Sequence, residues 1–500
     1  MATVATLFGM SPAPLESCRV LELGCASGGN LLPIAEQYPN SQFIGIDGSA
    51  RQVADGNSML SQLGLRNVEL RCQDILTFAS EKPFDYVICH GVYSWVPEAV
   101  QQKILEICNR HLALQGVAYV SYNTFPGWHM RGMIRDMMRY RADSFEKPQQ
   151  KLNEARGLLE FLSEATNVEG DPFGNVLRQE LETIVRRVDD YYLFHDHLEE
   201  VNLPVYFHQF ANRAASHGLR YLGEAVFGVM STGNLPEGVR EKLRRFSRNE
   251  IETEQYMDFL RNRTFRQTLL CHDDVRLERP ASPQQMLKLR VASDAVPDAS
   301  PPEGASADTV VYRRGNPKLT TTNAIVKSAM HHLKTIWPAS IPFRELATIS
   351  GCASSGASEK SGREVMSSDT EQLATLLLRC CETSVVDLHF TAPCFTTTPG
   401  QFPMVSSLAR AQATQGNHVT NRRHELVALN DLQRQVVAEC DGTKNRPELI
   451  EALCQALLSG KLIVHKEGVR VMDPDVLRTP ANSFLPDVLN DLARRAMFIA

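Results

Sequence analysis

Two aspartates have the spacing that an adenosine site requires. Asp47 follows Gly28, the third small residue of a glycine-rich stretch, by 19 residues. A carboxylate there can accept both hydroxyl protons of a ribose. Asp74 has the apolar Ile75 beside it, so this pair can bind an adenine amino group and the ring face. Taken alone, an aspartate after a strand is more often a turn or helix cap.

The stretch RVLELGCASGGN at 19–30 favours the adenosine interpretation. A buried strand runs into a turn at Gly24, Ala26 and Gly28, where small residues let the backbone approach a ligand. Glu22 lies inside the strand, whereas a dinucleotide site wants no acid beside its pyrophosphate. The pattern predicts S-adenosylmethionine (SAM), with S-adenosylhomocysteine as product. The predicted cofactor contacts are Glu22, Gly24, Cys25, Ala26, Gly28, Asn30, Asp47, Gly48, Gln52, Asp74, Ile75 and His90.

Aromatic and polar residues after the fourth and fifth predicted strands are candidates for the acceptor side. Aromatic rings hold an amine or methylammonium by cation–π contact, worth about 0.5–2 kcal/mol. The predicted acceptor channel comprises His90, Tyr93, Trp95, Tyr122 and Asn123, with Trp128 and His129 on its far wall. The alternative is that Trp95 and Trp128 are packing anchors. The sequence does not identify a general base.

Alternating strands and helices position these residues. Strands are predicted at 20–23, 43–46, 68–72, 84–89 and 116–121, with helices at 31–37, 49–63 and 99–112 between them. This order indicates an α/β fold whose parallel sheet has helices on both faces. Because ligands bind beyond the carboxyl ends of such strands, each candidate side chain lies at the expected edge.

The segment ELGCASG resembles the first motif of class I SAM-dependent methyltransferases, with Ala26 in place of the middle glycine. The segments FDYVICHGVYSWVP and VAYVSYNTFPGWHMRGMIRDMMRY resemble bacterial methyltransferases that carry a regulatory domain, among them the rickettsial-type protein lysine methyltransferases. Residues 191–225 and 254–272 resemble their helical domain, and the C-terminal segment resembles their winged helix more weakly. The resemblance implies a Rossmann-like sheet, a helical domain that covers the cofactor or forms a homodimer contact, and a C-terminal α+β winged-helix-like domain.

The expected domain organisation follows composition and this resemblance. The methyltransferase domain spans 1–143, the mainly helical regulatory domain 144–293, a Pro-, Ala- and Ser-rich linker 294–308 and the winged-helix-like domain 309–500. A polar loop is expected at 351–364. Asn430 and Asn445 are predicted helix N-caps, and 461–473 a hairpin turning at 467–468. Only 18 residues precede Arg19, fewer than in the family, so either the chain starts at an internal Met or the pocket is more open.

Charge and cysteine usage exclude several classes of protein. A net charge of −6 argues against general affinity for nucleic acid, and the helix before the hairpin has one Arg and two Glu, which suits DNA phosphates poorly. The twelve cysteines include no CxxC pair and are expected to be reduced thiols of a cytoplasmic protein. No apolar run reaches about 18 residues, so stable membrane insertion is not expected. The histidines at 195, 197, 208 and 217 lack familiar metal-ligand spacing, so no metal is expected.

These observations predict a SAM-dependent methyltransferase that acts on lysine side chains of a protein, with a bacterial surface or outer-membrane protein as one candidate substrate. Two alternatives stay open: a small-molecule or lipid methyltransferase, and a SAM-binding regulatory protein without turnover. An extended groove bounded by the later domains favours a protein substrate, whereas a closed small pocket favours a small molecule.

Overall fold

The computed structural model describes the chain except residues 166–170, 188–192, 194–196, 299–305, 307, 353–355, 358–363, 393, 467–468, 472–483 and 500. Five parallel strands form most of the central sheet: β1 (Arg19–Leu23), β2 (Gln42–Asp47), β3 (Val68–Cys72), β4 (Phe84–Cys89) and β5 (Leu112–Asn123). The accompanying helices are α1 (Ala2–Leu7), α2 (Leu31–Gln37), α3 (Ala50–Leu63), α4 (Glu98–Arg110) and α5 (Gly127–Ala142). The predicted α/β class is confirmed.

Local sequence accounts for most of these boundaries. The Ser49 hydroxyl caps α3 by accepting from the backbone N–H of Gln52, and Gly64 ends the helix in a left-handed conformation. Helix α4 ends at Arg110, two residues before its predicted end, because Leu112 pairs with Phe84 and begins β5. Aliphatic residues of the strands pack against helices on both faces of the sheet, which buries the core.

Two further strands of the sheet come from the segment predicted to be mostly helical. This segment contains α6 (Pro148–Ala165), α7 (Pro172–Arg187), α8 (Phe207–Ser216), β6 (Leu219–Glu224), α9 (Glu237–Phe246), α10 (Glu250–Arg261) and β7 (Phe265–His272). Strand β7 pairs antiparallel with β5, and β6 pairs antiparallel with β7, so the order is β3-β2-β1-β4-β5-β7-β6. The segment is mostly helical, as predicted, but sequence reasoning missed these two strands, because a partner over 140 residues away decides the conformation of β7.

A buried ion cluster attaches these two strands to α10. The Arg266 guanidinium, fully buried, binds Glu224 at 2.7 Å, Glu254 at 3.0 Å and Asp258 at 2.8 Å. It also stacks 3.8 Å from the centre of the Phe207 ring. Desolvation raises the pKa of Glu254 to about 7 despite the attraction of Arg266. Arg263 lies 3.2 Å from Asp258 and 3.9 Å from Glu254, so the cluster sets two arginines against three acids. Arg266 is the arginine that contacts all three acids, so its removal costs most.

Beyond the sheet, short strands and helices form the middle of the chain. They are β8 (Arg290–Ala292), β9 (Val296–Pro297), β10 (Val310–Arg313), β11 (Lys318–Thr321), α11 (Ala324–Ile336), β12 (Ile341–Pro342), α12 (Phe343–Ile349), β13 (Gly356–Ala357), β14 (Glu364–Val365), α13 (Ser368–Glu382) and β15 (Asp387–His389). The predicted linker at 294–308 is partly structured, because β9 pairs with β10. The predicted polar loop at 351–364 contains β13, which pairs with β14. Most other residues of both segments lie outside the described part of the chain.

The last elements form the winged helix. They are α14 (Ser407–Gln415), β16 (His418–Thr420), β17 (Leu426–Ala428), α15 (Asp431–Glu439), α16 (Arg446–Leu458), β18 (Val464–Lys466), β19 (Val469–Val471) and α17 (Phe484–Arg494). Asn430 and Asn445 cap α15 and α16 as predicted, each in a capping box with the residue three positions on. The hairpin β18–β19 is present, and its predicted turn at 467–468 lies outside the described residues.

Candidate active site

The turn between β1 and α2 brings bare backbone to the edge of the sheet. Gly24 has φ +72° and Gly28 has φ +79°, conformations that residues with a Cβ rarely adopt. A Cβ on Gly24 would lie 2.3 Å from Cγ2 of Val92, so a side chain there has no room. Ala26 also has a positive φ, +49°, a left-handed conformation that favours glycine, so alanine at this position carries local strain.

Asp47, at the end of β2, organises this turn. Its Oδ2 accepts the backbone N–H of Ala26 at 2.9 Å, and its Oδ1 accepts that of Ser49 at 2.8 Å. Each carboxylate oxygen keeps a second lone pair. Asp47 can therefore shape the turn and still accept from the two hydroxyls of a ribose at the same edge.

Glu22 is a buried acid with one unused oxygen. The Asn30 side chain donates to Oε1 at 2.9 Å, while Oε2 has no hydrogen-bond partner among the residues that the structure describes. Burial raises the pKa of Glu22 to about 7, and the hydrogen bond from Asn30 opposes that rise. An orphaned carboxylate oxygen beside a bare glycine turn fits the ammonium group of an amino-acid tail, as SAM carries.

Asp74 caps a short helix, which is the alternative role considered for it. Its Oδ1 accepts the backbone N–H of Leu76 at 2.8 Å and so caps a 3₁₀ turn, Ile75–Thr77. The side chain is exposed at the edge of the sheet, and Ile75 beside it is half-buried. The cap uses one oxygen, which leaves Oδ2 and the Ile75 side chain for an adenine ring.

Three other predicted cofactor residues lie along the glycine turn and the start of α3. Cys25 is buried and packs below the turn: its Sγ would lie 2.7 Å from a Cβ on Gly45. Gly48 faces open space, since an added Cβ would meet no atom within 4 Å. The Gln52 backbone N–H donates to the Ser49 hydroxyl in the first turn of α3.

His90 follows β4 and lies beside two hydroxyls of β5. Its Nδ1 is 2.8 Å from the Tyr119 hydroxyl and 3.2 Å from that of Ser121. Partial burial lowers the pKa of His90, so the ring is neutral near pH 7. Sequence reasoning missed both hydroxyls, although polar residues alternating with apolar ones near the end of a buried strand are a usable signal.

Tyr93 and Tyr122 are packing residues. Both rings are fully buried, and each contacts Phe210, with Tyr122 stacked at 4.1 Å between ring centres. The Tyr122 hydroxyl pairs with Thr268 at 3.0 Å. Side chains of the regulatory segment pack against both rings on that side of β5, and the acceptor-channel role of Tyr93 and Tyr122 stays a prediction.

A cavity of about 650 Å³ lies beside α5, and two of the remaining acceptor candidates reach it. Trp128 and His129 line it, and the edge of Trp95 meets Trp128 at 6.2 Å between ring centres. Trp128 is almost wholly buried, as in its packing alternative, whereas Trp95 is half-buried. The Asn123 amide donates to Asn202, a cavity residue from the regulatory segment that sequence reasoning did not find.

One residue from the far end of the chain also reaches the glycine turn. His424, in the loop between β16 and β17, has its Nε2 2.8 Å from Oδ1 of Asn30. The contact spans 394 positions, and the sequence carries no signal for it.

The histidines near position 200 do not assemble a ligand set in the described part of the chain. His197 is buried against Trp128, and burial with nearby arginines lowers its pKa to about 4. His208 pairs with Gln255 and His217 with the Arg213 carbonyl; His195 lies outside the described residues. Within those residues, no group of three His, Cys, Asp or Glu side chains is placed to hold a metal. No helix there is both long and apolar enough to cross a membrane.

Three family models match consecutive parts of the chain. "Methyltransferase domain" matches residues 15–184, "Predicted methyltransferase regulatory domain" 189–272, and "PKMT, C-terminal winged helix domain" 402–497. With the Rossmann-like sheet and the glycine turn between Glu22 and Asp47, they define a class I SAM-dependent methyltransferase.

The similarity to individual proteins extends over the full chain. An uncharacterized protein of Rickettsia prowazekii is 33% identical over 100% of this chain and 90% of its own length. The structure of PKMT2 from Rickettsia typhi has a TM-score of 0.86 at 32% identity, covering 100% of this chain and 97% of that one. The same protein in complex with AdoHcy gives 0.85 at 31% identity over the same shares. The chain belongs to this family of SAM-dependent methyltransferases with a regulatory domain and a PKMT winged helix.

Proposed function

We propose that this methyltransferase transfers methyl groups from SAM to lysine side chains of a protein substrate. The observation that carries the proposal is the match to PKMT2, a protein lysine methyltransferase by its name, over the whole chain including the winged helix. A small-molecule methyltransferase needs the sheet and the cofactor turn, but it has no evident use for both later domains.

Within this proposal, the cofactor lies across the carboxyl ends of β1 to β4. Asp47 accepts from the ribose hydroxyls, and Asp74 with Ile75 holds the adenine. Glu22 directs its unpaired Oε2 at the ammonium group, while the backbone of the glycine turn accommodates the tail. The hydrogen-bond pattern supports each assignment, because the groups named have unused acceptor capacity at one edge of the sheet.

When bound, SAM supplies a methyl group on a sulfonium, which is a good leaving group without metal assistance. The chain's own residues therefore align the acceptor and exclude water. A lysine amine must be neutral to attack, and its ordinary pKa is about 10.4. Burial beside a positive charge lowers that pKa, because both effects disfavour the ammonium form. The proton then leaves to solvent or to a base that is not assigned.

The acceptor side in this proposal is the cavity beside α5. A lysine side chain is a long apolar stem with a polar head, and Trp128 and Phe125 offer it aromatic surface in this cavity. The Asn202 amide lies at the same cavity and can bind a polar head.

The test is to incubate the purified chain with methyl-labelled SAM and a bacterial lysate, and then to map labelled sites by mass spectrometry. The proposal expects methylated lysines in one or a few proteins. Asp47→Ala serves as the control that removes cofactor binding. Label confined to small molecules or lipids would support the alternative class, and binding of SAM without any labelled product would support a regulatory protein.

A further inference from the structure

The winged helix contacts the glycine turn through a hydrogen-bonded series of three side chains. His424 Nε2 lies 2.8 Å from Oδ1 of Asn30, and Nδ2 of Asn30 donates to Oε1 of Glu22 at 2.9 Å. Glu22 Oε2 is the buried oxygen without a partner among the described residues. The chain thus links a loop of the C-terminal domain to the acid beside the glycine turn.

The chemistry of the three groups fixes the direction of each hydrogen bond. The ionised Glu22 carboxylate, the form that pairs with an ammonium group, only accepts, so Asn30 must present its NH₂ group to it. The amide oxygen of Asn30 then faces His424, whose Nε2 must carry a proton to donate to it. If the amide rotated, its oxygen would face the carboxylate and the bond would become a repulsion. His424 therefore holds Asn30 in the one orientation that satisfies Glu22.

The loop that carries His424 is held firmly in place. The Asn421 side-chain oxygen accepts the backbone N–H groups of Arg423 and Glu425, both at 2.9 Å. Its amide nitrogen donates to the Arg495 carbonyl at 2.8 Å. His424 itself has φ +61°, a left-handed conformation that this small network maintains. A rigid loop can position a side chain with little loss of entropy on each binding event.

A second contact shows that the C-terminal domain docks along α2. Glu36, near the end of α2, accepts the backbone N–H of Ser407 at 2.8 Å and that of Leu408 at 3.3 Å. It thereby caps the first turn of α14. Asn30 and Glu36 lie at opposite ends of α2. A mutation of Glu36 therefore changes the contact between α2 and the C-terminal domain without changing the hydrogen bonds that orient the Asn30 amide.

We propose that His424 is a positioning residue for the cofactor site: it orients Asn30, which keeps Glu22 Oε1 occupied and its Oε2 directed at the SAM ammonium group. The winged helix then contributes to cofactor affinity as well as to any binding of substrate. This inference rests on the proposed placement of the ammonium group at Glu22.

The experiment measures SAM affinity of full-length variants by calorimetry. His424→Leu should weaken binding about 5–10-fold, the scale of one lost hydrogen bond to a polar group. His424→Gln should restore most of the affinity, because its amide offers an N–H donor on a side chain of similar length. Glu36→Ala is the matched control: it breaks the other contact on α2 and should leave affinity unchanged. Melting curves for all variants confirm that each is folded.

A double-mutant cycle makes the role of Asn30 specific. If His424 acts through Asn30, then adding His424→Leu to Asn30→Ala should change the affinity no further. Equal losses for the Leu and Gln variants, an equal loss for Glu36→Ala, or additive losses in the cycle would each overturn the inference. Glu22→Gln separates the two proposals. If it binds SAM with unchanged affinity, the ammonium group is not placed at Glu22. If it binds SAM more weakly while His424→Leu binds with wild-type affinity, the placement at Glu22 stands and only the role of His424 is wrong.

Discussion

The Oδ2 atom of Asp47 accepts the backbone N–H of Ala26 at 2.9 Å, so the acid at the end of β2 holds the glycine turn that follows β1. The same carboxylate accepts from Ser49 through its other oxygen. One residue therefore sets both the shape of the turn and the start of α3. This double use means that its replacement affects the cleft even before a ligand arrives.

Asp47→Ala should abolish detectable SAM binding in calorimetry. The change removes two backbone hydrogen bonds and the proposed ribose contact, and hydrogen bonds to a charged group are worth about 1.5–3 kcal/mol each. Asp47→Asn keeps one acceptor oxygen and should retain weak binding. Affinity equal to that of the wild type in Asp47→Ala would show that the ribose is placed wrongly.

SAM affinity should rise between about pH 5.5 and 7.5. Burial raises the pKa of Glu22 to about 7, so below that pH the acid is protonated and cannot pair with an ammonium group. The ligand's ammonium favours the ionised acid, and binding below pH 7 should therefore release a proton. Calorimetry in two buffers with different ionisation enthalpies measures that release.

The matched variant for this pH dependence is Glu22→Gln. It should bind SAM more weakly at pH 7.5 and show a flat profile, because no group titrates at that position. Ionisation of Glu22 has the opposite effect on the stability of the fold without ligand. Because the pKa of Glu22 is raised in the folded state, the free energy of unfolding falls as the pH rises from about 4.5 to 7. Glu22→Gln should therefore be more stable than the wild type at pH 8. A pH profile that survives in the variant would assign it to another group.

Gly24→Ala should destabilise the protein by about 1–3 kcal/mol. The added Cβ would lie 2.3 Å from Cγ2 of Val92, and φ +72° is strained for alanine. Val92→Ala in the same chain relieves the contact and should recover part of the loss, leaving the backbone strain. Urea denaturation of the three variants checks this; full recovery would mean that φ contributes nothing.

Arg266→Met should destabilise the fold by about 3–5 kcal/mol, because it removes the arginine that pairs with Glu224 and leaves the buried Glu254 and Asp258 to share Arg263 alone. Thermal and urea unfolding measure the loss. Arg248→Ala, which breaks an exposed ion pair with Glu252, is the control and should change little. If the two variants had similar stability, the cluster would not be what attaches β6 and β7 to α10.

Asn202→Leu should lower kcat/KM for the methyl acceptor while leaving SAM affinity unchanged. The residue lines the cavity beside α5 and binds Asn123, but it makes no hydrogen bond to the cofactor turn. Steady-state kinetics with the unmethylated form of a substrate protein identified in the lysate experiment measures kcat/KM. Calorimetry measures SAM affinity separately. Equal loss of both would place Asn202 in the support of the whole site.

The sequence predicts those parts of the fold that local patterns determine. The glycine turn, strands β1 to β5 and the caps Asn430 and Asn445 follow from residues within a few positions of each other. Pairing of β7 with β5 depends on a distant partner, and the same apolar pattern suits a buried helix or strand.

On the acceptor side, too, contacts between distant segments could not be predicted from the sequence. Tyr93 and Tyr122 follow strands as channel residues would, but Phe210, from a later segment, covers them. Asn202 and His424 reach the site from distant parts of the chain. Proximity of that kind is a property of domain packing, which no local spacing records.

Strand β7 pairs with β5 from Ala118 to Asn123. The central sheet can therefore be completed only after the chain has been synthesised through residue 272. A fragment cut near residue 143 would leave six β5 residues with unsatisfied backbone groups on an apolar edge, a surface that invites aggregation. The pairing also joins segments far apart in sequence, which slows folding. Expression of the first domain by itself should therefore give insoluble protein, whereas a fragment extended through β7 should not.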